Sequence, residues 1–441
     1  MEKYLLKNCD IANFDTLCCN RNDIYIADGK IIKIAPSINR PESNIPIIDL
    51  KGKMVLPAFI DSHTHLLQTF LKGYLDDYPI TDWLVRMFHA ESLFTEEDCY
   101  YSVLVGALEA LRFGTTTIND MGMNTYFDAG VQAIKDSGIR AIIGMGLTDI
   151  SESTNTPVRS TDENLVLAKK VYDTYQGYNH GRITTCVAPL GLPSCSAELM
   201  KQLKSFATER NLIFHTHLAE GKKETLDVLK RTGYMEAEAL YHLGILDEHT
   251  VLAHSIWLDE HELDLIKKTN ANPVHCPSTN MKLSDGIPKI QSMLERGINV
   301  CMGCDGEASS SNRDLIREAR AGSYLQKGST LNPKAMDVGT TYRMMTQNGA
   351  KALGFSNLGC VKEGYLADLI VVDMEHDLSL TNRQTRISNL LYAGSGQVID
   401  SVFINGTLII KEKKNCFINE QKILEKSEEL LYKFDKKLNS I

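Results

Sequence analysis

The amino-acid sequence predicts an α/β fold: a (β/α)8 TIM barrel accompanied by a small composite β-sandwich domain built from both termini. Three observations lead to this prediction. Short apolar runs alternate with helical patterns through the middle of the chain, β-rich segments occupy both ends, and polar residues cluster where the apolar runs end. A doubly wound open sheet has the same alternation, but the polar clusters at the strand ends favour the barrel.

Composition excludes several classes of protein. The chain has 441 residues, 43% of them hydrophobic, and a formal net charge of −9. The sequence contains no stripe of basic residues that would favour binding to nucleic acid, and no apolar run reaches the ~18 residues of a membrane span. We therefore expect neither nucleic acid nor a membrane as a partner. Eleven scattered cysteines and a start without a signal-peptide pattern predict reduced thiols and a cytoplasmic location. Cys301 and Cys304 form a C-x-x-C, and we expect both to be packed strand residues.

Both ends of the chain show the alternating pattern of antiparallel strands. Asp28-Gly29 lies between two alternating runs near the start, and Asn405-Gly406 lies between two such runs near the end. These dipeptides are strong hairpin signals, because both residues tolerate a positive φ. We therefore predict that the two ends combine into one β-sandwich domain. A surface-packed helix is expected to follow over residues 420–438.

The predicted domain boundaries follow from this division. Residues 1–55 form the N-terminal part of the sandwich, 56–360 the metal-dependent catalytic barrel, and 361–441 the C-terminal part with its helix. The apolar runs that mark the barrel strands are 54–60, 115–118, 141–147, 183–188, 212–214, 251–253, 272–274 and 299–302. A barrel collects its active site at the C-terminal ends of such strands.

Histidines follow two of these runs at a two-residue spacing. The first run is followed by H-T-H at 63–65, and the fifth by H-T-H at 215–217. Residues two apart in a strand point to the same side, so each pair can converge at the barrel mouth. His254 ends the sixth run, and Asp305 follows the eighth. Imidazole and carboxylate groups at one mouth suit a divalent metal such as Zn²⁺.

These motifs resemble those of the amidohydrolase superfamily. The stretch P-A-F-I-D-S-H-T-H at 57–65 is similar to the P-G-F-I-D-x-H-x-H opening motif of that superfamily, with Ala58 in place of the usual Gly. Further along, the chain resembles one branch of this superfamily, which comprises the S-adenosylhomocysteine/methylthioadenosine deaminases and triazine hydrolases. The matching stretches are H-T-H-L-A-E at 215–220, A-H at 253–254, H-C-P-S-T-N-M-K-L at 275–283 and D-G-E-A-S at 305–309.

The resemblance implies four metal ligands and two further catalytic residues. The implied ligands are His63, His65, His217 and Asp305. Glu220 matches the proton shuttle of the family, and His254 matches the residue that orients the metal-bound water. Asp305 is also a catalytic candidate, because it can accept a proton while it binds the metal. His215 is not a ligand in the family, and we expect it to be structural.

One divalent ion per subunit is predicted, with zinc favoured over iron or another metal. Such an ion lowers the pKa of bound water from about 15.7 to about 7. Two-metal members of the superfamily need a Lys or Glu at the end of strand four, and the stretch 185–190 contains neither. Glu220 could protonate a ring nitrogen while hydroxide attacks the adjacent carbon. This chemistry favours hydrolytic deamination of an aminated heterocycle, with release of ammonia.

The predicted substrate is a purine or adenosine derivative, a pterin or a similar small ring. Adenosine-derivative deaminases of the branch carry a His after strand four, where this chain has Leu190. Arg159 is one residue away from the position of the Arg that meets an amino-acid carboxylate in the branch. Glu91 matches the ribose-contacting Glu of the branch, and Trp83 lies in the long segment after strand one that could form a lid or wall. Glu91, Trp83 and His254 are therefore the substrate-binding candidates.

Two alternative functions remain open at this point. Displacement of chloride or an alkylamine from a triazine would use the same hydroxide as deamination. A catalytically silent barrel that serves as an oligomeric scaffold would be expected to lack some of the ligands, and here all four are present. The sequence leaves open which heterocycle is the substrate, which metal is native, and whether the chain forms a homo-oligomer.

Overall fold

The structure, a computed structural model, describes residues 2–122, 126–150, 158–374, 377, 382 and 384–438. Its strands are β1 (Tyr4–Asn13), β2 (Cys18–Ala27), β3 (Lys30–Ala35), β4 (Ile47–Asp49), β5 (Met54–Pro57), β6 (Phe59–His65), β7 (Thr115–Gly122), β8 (Arg140–Leu147), β9 (Ile183–Pro189), β10 (Ile213–Leu218), β11 (Thr250–His254), β12 (Asn272–His275), β13 (Cys301–Met302), β14 (Asp305–Gly306), β15 (Leu369–Val372), β16 (Ile399–Ile404), β17 (Thr407–Lys411) and β18 (Lys414–Asn415). Its helices are α1 (Ile80–Ser92), α2 (Glu96–Arg112), α3 (Phe127–Ser137), α4 (Thr161–Tyr175), α5 (Tyr178–Gly181), α6 (Ala197–Glu209), α7 (Lys222–Thr232), α8 (Glu236–His242), α9 (Glu260–Thr269), α10 (Pro277–Lys282), α11 (Ile290–Glu295), α12 (Leu315–Thr330), α13 (Val338–Met345), α14 (Gln347–Ala352), α15 (Arg386–Tyr392) and α16 (Glu420–Leu438).

Parallel strands form the predicted barrel. Their order is β13-β12-β11-β10-β9-β8-β7-β6-β14. The eighth position of the barrel is divided between two short strands, because β13 pairs with β12 and β14 pairs with β6. This division closes the sheet on itself and places the start of β14 beside the end of β6. The α/β prediction of a TIM barrel with a composite terminal domain is confirmed.

A glycine allows the two ends of the barrel to meet. A Cβ atom on Gly303, between β13 and β14, would lie 2.9 Å from the carbonyl oxygen of His63 in β6. That approach is closer than side-chain carbons make, so a larger residue would push the eighth strand away from the first. The next residue continues the junction, since Cys304 donates its backbone N–H to Asp61 Oδ1 at 3.0 Å.

The terminal sheet joins strands from both ends of the chain. Its order is β18-β17-β16-β15-β5-β1-β2-β3, and β4 pairs with β1. Both predicted hairpins are present as β2–β3 and β16–β17. Asp28 and Gly29 have φ values of 51° and 77°, and Asn405 and Gly406 have values of 47° and 71°, as such two-residue turns require.

The first apolar run of the barrel divides between the two sheets, which differs from the prediction of one strand over 54–60. Met54–Pro57 is β5 of the terminal sheet, and the barrel strand β6 begins at Phe59. Every residue of both strands is buried, so hydrophobicity carries no mark of the point where the chain changes sheets. The predicted boundary after residue 55 falls within β5, and the division into 1–55, 56–360 and 361–441 stays a prediction.

The remaining predicted elements are close to those observed. The terminal helix is α16, and its Phe434 ring packs on Phe94 with centroids 5.0 Å apart. Cys301 in β13 and Cys304 just beyond it are buried free thiols. Within the described residues, every helix is too short or too polar to cross a bilayer.

Candidate metal and catalytic site

Four strands bring the predicted site residues to one mouth of the barrel. His63 and His65 end β6, His217 lies near the end of β10, His254 ends β11, and Asp305 begins β14. These strands are parallel neighbours, so their C-terminal ends share one face. The structure therefore brings together the ligand candidates that the sequence placed on separate strands.

The side chains of this group are close enough to share one ion. His63 Nε2 lies 3.1 Å from Asp305 Oδ1, and His65 Nε2 lies 3.4 Å from the same oxygen. The Nε2 atoms of His65 and His217 are 3.3 Å apart. Three sets of potential metal-binding atoms, each with all members within 4.8 Å of one another, overlap here: His63, His65 and Asp305; His63, His217 and His254; and Glu220, His254 and Asp305.

Backbone carbonyls determine which imidazole nitrogens can bind a metal. His65 Nδ1 lies 2.8 Å from the carbonyl oxygen of Met121, and His217 Nδ1 lies 2.7 Å from that of Leu190. A carbonyl oxygen only accepts, so each Nδ1 donates a proton and each neutral ring keeps a lone pair on Nε2. Two lone pairs that face each other at 3.3 Å repel unless a cation lies between them. The donor set therefore fits a divalent metal.

Charge distribution supports the same assignment. Burial holds the pKa of His63 and of His217 well below the usual range, so both rings are neutral at physiological pH. Burial opposes ionisation of Asp305, but its hydrogen bond with His63, with contributions from His254 and His65, holds its pKa well below the usual range. Neutral imidazoles beside an ionised carboxylate are the protonation states that a metal requires.

His215 lies behind this group rather than in it. Its Nε2 is 2.8 Å from His63 Nδ1, and its side chain is fully buried. The hydrogen bond orients the His63 ring so that Nε2 faces Asp305. This placement agrees with the predicted structural role.

Glu220 and His254 face each other at the edge of the same group. Glu220 Oε1 lies 3.4 Å from His254 Nε2, and His254 Nδ1 is bonded to Asn280 Oδ1 at 2.9 Å. Burial, together with the carboxyl groups of Asp305, Glu224 and Glu236, raises the pKa of Glu220 well above its usual range. A raised pKa favours the protonated form of the Glu220 carboxyl, which is the form that can give up a proton.

A cleft with a volume of about 110 Å³ opens above these residues. Its floor consists of His65, His217, His254 and Asp305. One side, the α1 wall, consists of Ile80, Trp83, Leu84, Met87 and Phe88. Three carboxyl groups, those of Glu220, Glu224 and Glu236, also line the cleft.

The predicted substrate contacts have different positions relative to this cleft. Trp83 and His254 line it, and Leu190 lines it at the end of β9. Glu91 is buried in the last turn of α1 but is not among the lining residues. Burial raises the pKa of Glu91 to about 8, against a smaller opposing contribution from its hydrogen bond with Gln68. Arg159 precedes α4 and also lies outside the lining.

Sequence reasoning missed a buried arginine beneath the floor. Arg313 donates to the carbonyl oxygen of Asp305 at 2.6 Å and to that of His65 at 3.0 Å, and it is ion-paired with Glu307 at 3.3 Å. Glu307 is also ion-paired with Lys72 at 2.5 Å. Arg313 thus ties together the two chain segments that carry predicted ligands. A single Arg in a stretch of Ser and Asn is typical of a solvated loop, so the sequence held no signal for its burial.

Asn280 was quoted only as part of a motif, and the structure gives it a position. Its amide oxygen accepts the Nδ1 proton of His254 at 2.9 Å, which leaves Nε2 of that ring facing the cleft. Below the same mouth, α12 begins at Leu315 with Asp314 as its N-cap. The Asp314 side chain accepts from Ile316 N.

Known proteins similar to this chain share both the fold and the sequence pattern. A family model for the amidohydrolase family matches residues 54–409. A 5-methylthioadenosine/S-adenosylhomocysteine deaminase of Halothermothrix orenii is 35% identical over 435 residues, covering 97% of this chain and 99% of that protein. A 5'-deoxyadenosine deaminase of Methanosarcina mazei is 32% identical over 443 residues, covering 100% of both chains. The crystal structure of an adenosine deaminase from Xanthomonas campestris with bound zinc has a TM-score of 0.91 at 24% identity, with 99% of each chain covered.

Proposed function

Because this chain belongs to the amidohydrolase family, we propose that it is a zinc-dependent deaminase of adenosine derivatives that differ from adenosine at the 5′ position. The reaction is hydrolysis of the exocyclic carbon–nitrogen bond of an aminated ring, with release of ammonia. The observation that carries the proposal is the position of the Glu220 carboxyl, which lies 3.4 Å from His254 Nε2 and lines the cleft together with His65, His217 and Asp305. This arrangement sets a proton donor next to the position of the reacting carbon.

We propose that His63, His65, His217 and Asp305 hold the metal, one ion per subunit. A bound divalent ion at this position supplies a water that is ionised near neutral pH. The single-ion assignment is supported by β9, whose residues Ile183–Pro189 include neither Lys nor Glu at the point where a second ion would need a bridging ligand.

His254 and Asp305 position the nucleophile in this proposal. The Nδ1 proton of His254 is held by Asn280, so Nε2 is available to accept a hydrogen bond from the attacking water. Asp305 Oδ1 lies between His63 and His65 at 3.1 and 3.4 Å, and it can accept the proton that the water loses. Together they align the attack with the ring carbon above the floor.

Glu220 acts on the ring rather than on the water. Its carboxyl gives a proton to the ring nitrogen next to the carbon under attack, so the ring does not accumulate negative charge. The tetrahedral intermediate then expels the amine, which leaves as ammonia after it gains the proton that Asp305 accepted from the water. An amide substrate has no ring nitrogen for Glu220 to protonate, so this geometry favours heterocycles.

The test is the release of ammonia by zinc-loaded protein. We expect 5'-methylthioadenosine and 5'-deoxyadenosine to be deaminated, as shown by ammonia and by the absorbance change of the purine. Guanine, a pterin and an aminotriazine should react at least ~10-fold more slowly in kcat/KM. Loss of activity on chelation and its recovery with Zn²⁺ is the control for metal dependence. Equal rates on all rings would contradict the assignment to adenosine derivatives.

A second candidate function is hydrolysis of a chlorinated or alkylaminated triazine. It is favoured by Leu190, an apolar residue that lines the cleft where the sequence comparison with adenosine-derivative deaminases predicts a histidine. Release of chloride from a chlorotriazine, in the absence of ammonia release from any adenosine derivative, would establish this alternative. The cytoplasmic location and the oligomeric state stay predictions.

A further inference from the structure

Two oppositely charged side chains lie beneath the floor, shielded from solvent. The side chains of Arg313 and Glu307 are both 0% exposed, and Arg313 Nε lies 3.3 Å from Glu307 Oε2. Among the described residues, Glu307 is the one carboxylate that is ion-paired with Arg313. A buried charge is costly unless a counter-charge neutralises it, so each of these two groups depends on the other.

Arg313 contacts the floor on its other side. It donates to the backbone carbonyl oxygens of Asp305 at 2.6 Å and of His65 at 3.0 Å, and it also donates to Thr64 Oγ1. These three partners belong to β6 and β14, the paired strands that carry three of the four proposed metal ligands. The guanidinium therefore fixes the backbone of both strands relative to each other.

Glu307 is also held from the side away from the floor. Its Oε1 lies 2.5 Å from Lys72 Nζ, and Lys72 Nζ in turn lies 3.0 Å from Glu109 Oε2 in α2. The Glu307 carboxylate is thus fixed between two cations on separate segments of the chain. Its position therefore determines where the Arg313 guanidinium lies.

After Glu307, the carboxylates next to Arg313 belong to the floor strands. Burial opposes the charged form of Arg313, but the charges of Glu307 and then of Asp61 raise its pKa. The Oδ1 atom of Asp61 accepts backbone N–H groups from both sides of the junction that closes the barrel. Asp305 is a metal ligand in the proposed function, and Arg313 already contacts its carbonyl oxygen. A guanidinium without Glu307 would turn to one of these two carboxylates.

Building on the proposed function and its metal site, we propose that Glu307 is a positioning residue, whose carboxylate keeps Arg313 beneath the floor and away from the carboxylates of Asp61 and Asp305. Asp305 therefore stays available as a ligand, and Arg313 supports the floor instead of competing with the metal. Glu307 acts only through Arg313 and contacts neither metal nor substrate. Loss of Arg313 weakens metal binding when Glu307 is present, but it strengthens metal binding when Glu307 is absent.

A double-mutant cycle on zinc affinity provides the test. Glu307→Gln, Arg313→Gln and the double variant are compared with the wild type by competition with a chelator. We expect Glu307→Gln to bind zinc at least ~10-fold more weakly than both the wild type and the double variant. The inference is overturned if Glu307→Gln binds zinc as tightly as the wild type, or if the double variant binds no more tightly than Glu307→Gln.

Glu318→Gln is the matched control, because it makes the same substitution at an equally buried carboxylate. Glu318 is 0% exposed, and it accepts from Ser278 N at 3.1 Å and from Asn312 Nδ2 at 2.8 Å. Its zinc affinity should stay within about twofold of the wild type. An equal loss of affinity in Glu318→Gln and Glu307→Gln would show a general effect of changing a buried carboxylate, which contradicts the inference.

Absorption of bound Co²⁺ distinguishes a positioning role from a loss of stability. At saturating Co²⁺, the visible band of Glu307→Gln should differ from that of the wild type, because the guanidinium disturbs the ligand set. The double variant and Arg313→Gln should have the same band. An identical band in Glu307→Gln and the wild type contradicts the inference.

Two further comparisons separate the possible failures. If Glu307→Gln does not fold, the double variant is compared with Arg313→Gln: zinc affinities within about threefold support the inference, and a larger loss in the double variant overturns it. Ammonia release from 5'-methylthioadenosine by the zinc-loaded wild type tests the proposed function separately. If the wild type neither binds zinc nor releases ammonia, the proposed function fails and the inference fails with it. If the wild type is active but the cycle gives the wrong order of affinities, the inference alone fails.

Discussion

At the floor of the cleft, His65 and His217 each donate their Nδ1 proton to a backbone carbonyl. On the side of the α1 wall, by contrast, Trp83 Nε1 and Gln68 Oε1 are buried without a hydrogen-bond partner within the described ranges. The floor is oriented by the protein before any ligand arrives. The other region leaves polar atoms free for a ligand to satisfy.

The two regions also differ in the elements that carry them. The floor lies on barrel strands, whose positions are set by the sheet and by buried groups such as Arg313. The α1 wall lies on a helix inserted between the first two barrel strands, and the buried side chains Trp83, Met87 and Ala90 of that helix belong to the apolar core. Strand ends thus hold groups that must be placed to within a fraction of an ångström, whereas an inserted helix can change its side chains without disturbing them.

The largest effect is expected from loss of a floor ligand. His65→Asn removes one imidazole and leaves three ligands, so the variant should lose most of its bound zinc and its activity. Zinc should stabilise the wild type by about 2.7 kcal/mol at 100 times the dissociation constant, and the variant much less. Metal analysis and thermal unfolding with and without Zn²⁺ measure both effects. His261→Asn is the control, because the His261 side chain is 62% exposed. If the His65→Asn variant binds as much zinc as the wild type, His65 is not a metal ligand.

The next effect concerns the proton donor at the edge of the floor. Glu220→Gln keeps the shape of the side chain but cannot give up a proton as Glu220 does. General acid–base catalysis contributes ~10²–10⁴-fold, so kcat/KM should fall by that factor while zinc content stays normal. Steady-state kinetics on the best substrate provide the measurement. Glu198→Gln on α6 is an exposed control, and a Glu220→Gln rate within about twofold of wild type would argue against the mechanism.

A smaller loss of zinc affinity is expected from a substitution beneath the floor. Arg313→Gln removes the donors to the backbone carbonyl oxygens of Asp305 and His65 and leaves the side chains of all four predicted metal ligands unchanged. Losing such an outer partner weakens metal binding by about 10–100-fold. Competition with a chelator measures the affinity. Arg317→Gln serves as the control, because Arg317 lies nearby in the first turn of α12 with a side chain that is 55% exposed. Equal zinc affinities in the two variants would show that Arg313 does not hold the floor.

The last prediction concerns stability rather than metal binding or catalysis, and it tests the region behind the α1 wall. Burial raises the pKa of Glu91 from 4.5 to about 8, so the folded state holds this proton where the unfolded chain releases it. The stability contributed by the neutral group is therefore complete below about pH 4.5 and is lost as the pH rises toward 8. Relative to Glu91→Gln, the wild type should lose up to about 1.4 kcal/mol per pH unit within that window. Urea unfolding of both proteins across the window measures the difference, and parallel pH profiles would contradict it.

The sequence predicted more of the floor than of its surroundings. The alternation of strand residues and the H-x-H spacing place His63 and His65 at one mouth whatever the details of packing. The burial of Arg313 and of Glu91 depends on which helices cover them, and no local pattern records that. Both residues are of types that are mostly exposed, so burial was the less expected outcome for each.

The strand division at Ala58 shows a similar limit. A run that is apolar throughout predicts a buried strand, and Met54–Pro57 and Phe59–His65 are both buried strands. The partner of each half is set by residues far along the chain, since Met54 pairs with Val372 and Thr64 pairs with Asp305. The hydrophobic periodicity of a sequence predicts burial and side-chain direction, but it does not predict which strands pair with each other.

The pairing of β5 with β15 sets an order of events during biosynthesis. β5 emerges from the ribosome soon after β1, but Met54 must wait for Val372 before its second edge is covered. The first barrel strand follows β5 almost directly, so the barrel is attached to a sheet that stays incomplete until nearly the whole chain has been made. A chain stalled before β15 exposes an apolar strand edge, and such edges promote aggregation. This nascent chain therefore depends on rapid completion of synthesis, or on a chaperone that shields β5, more than a protein with its barrel alone would.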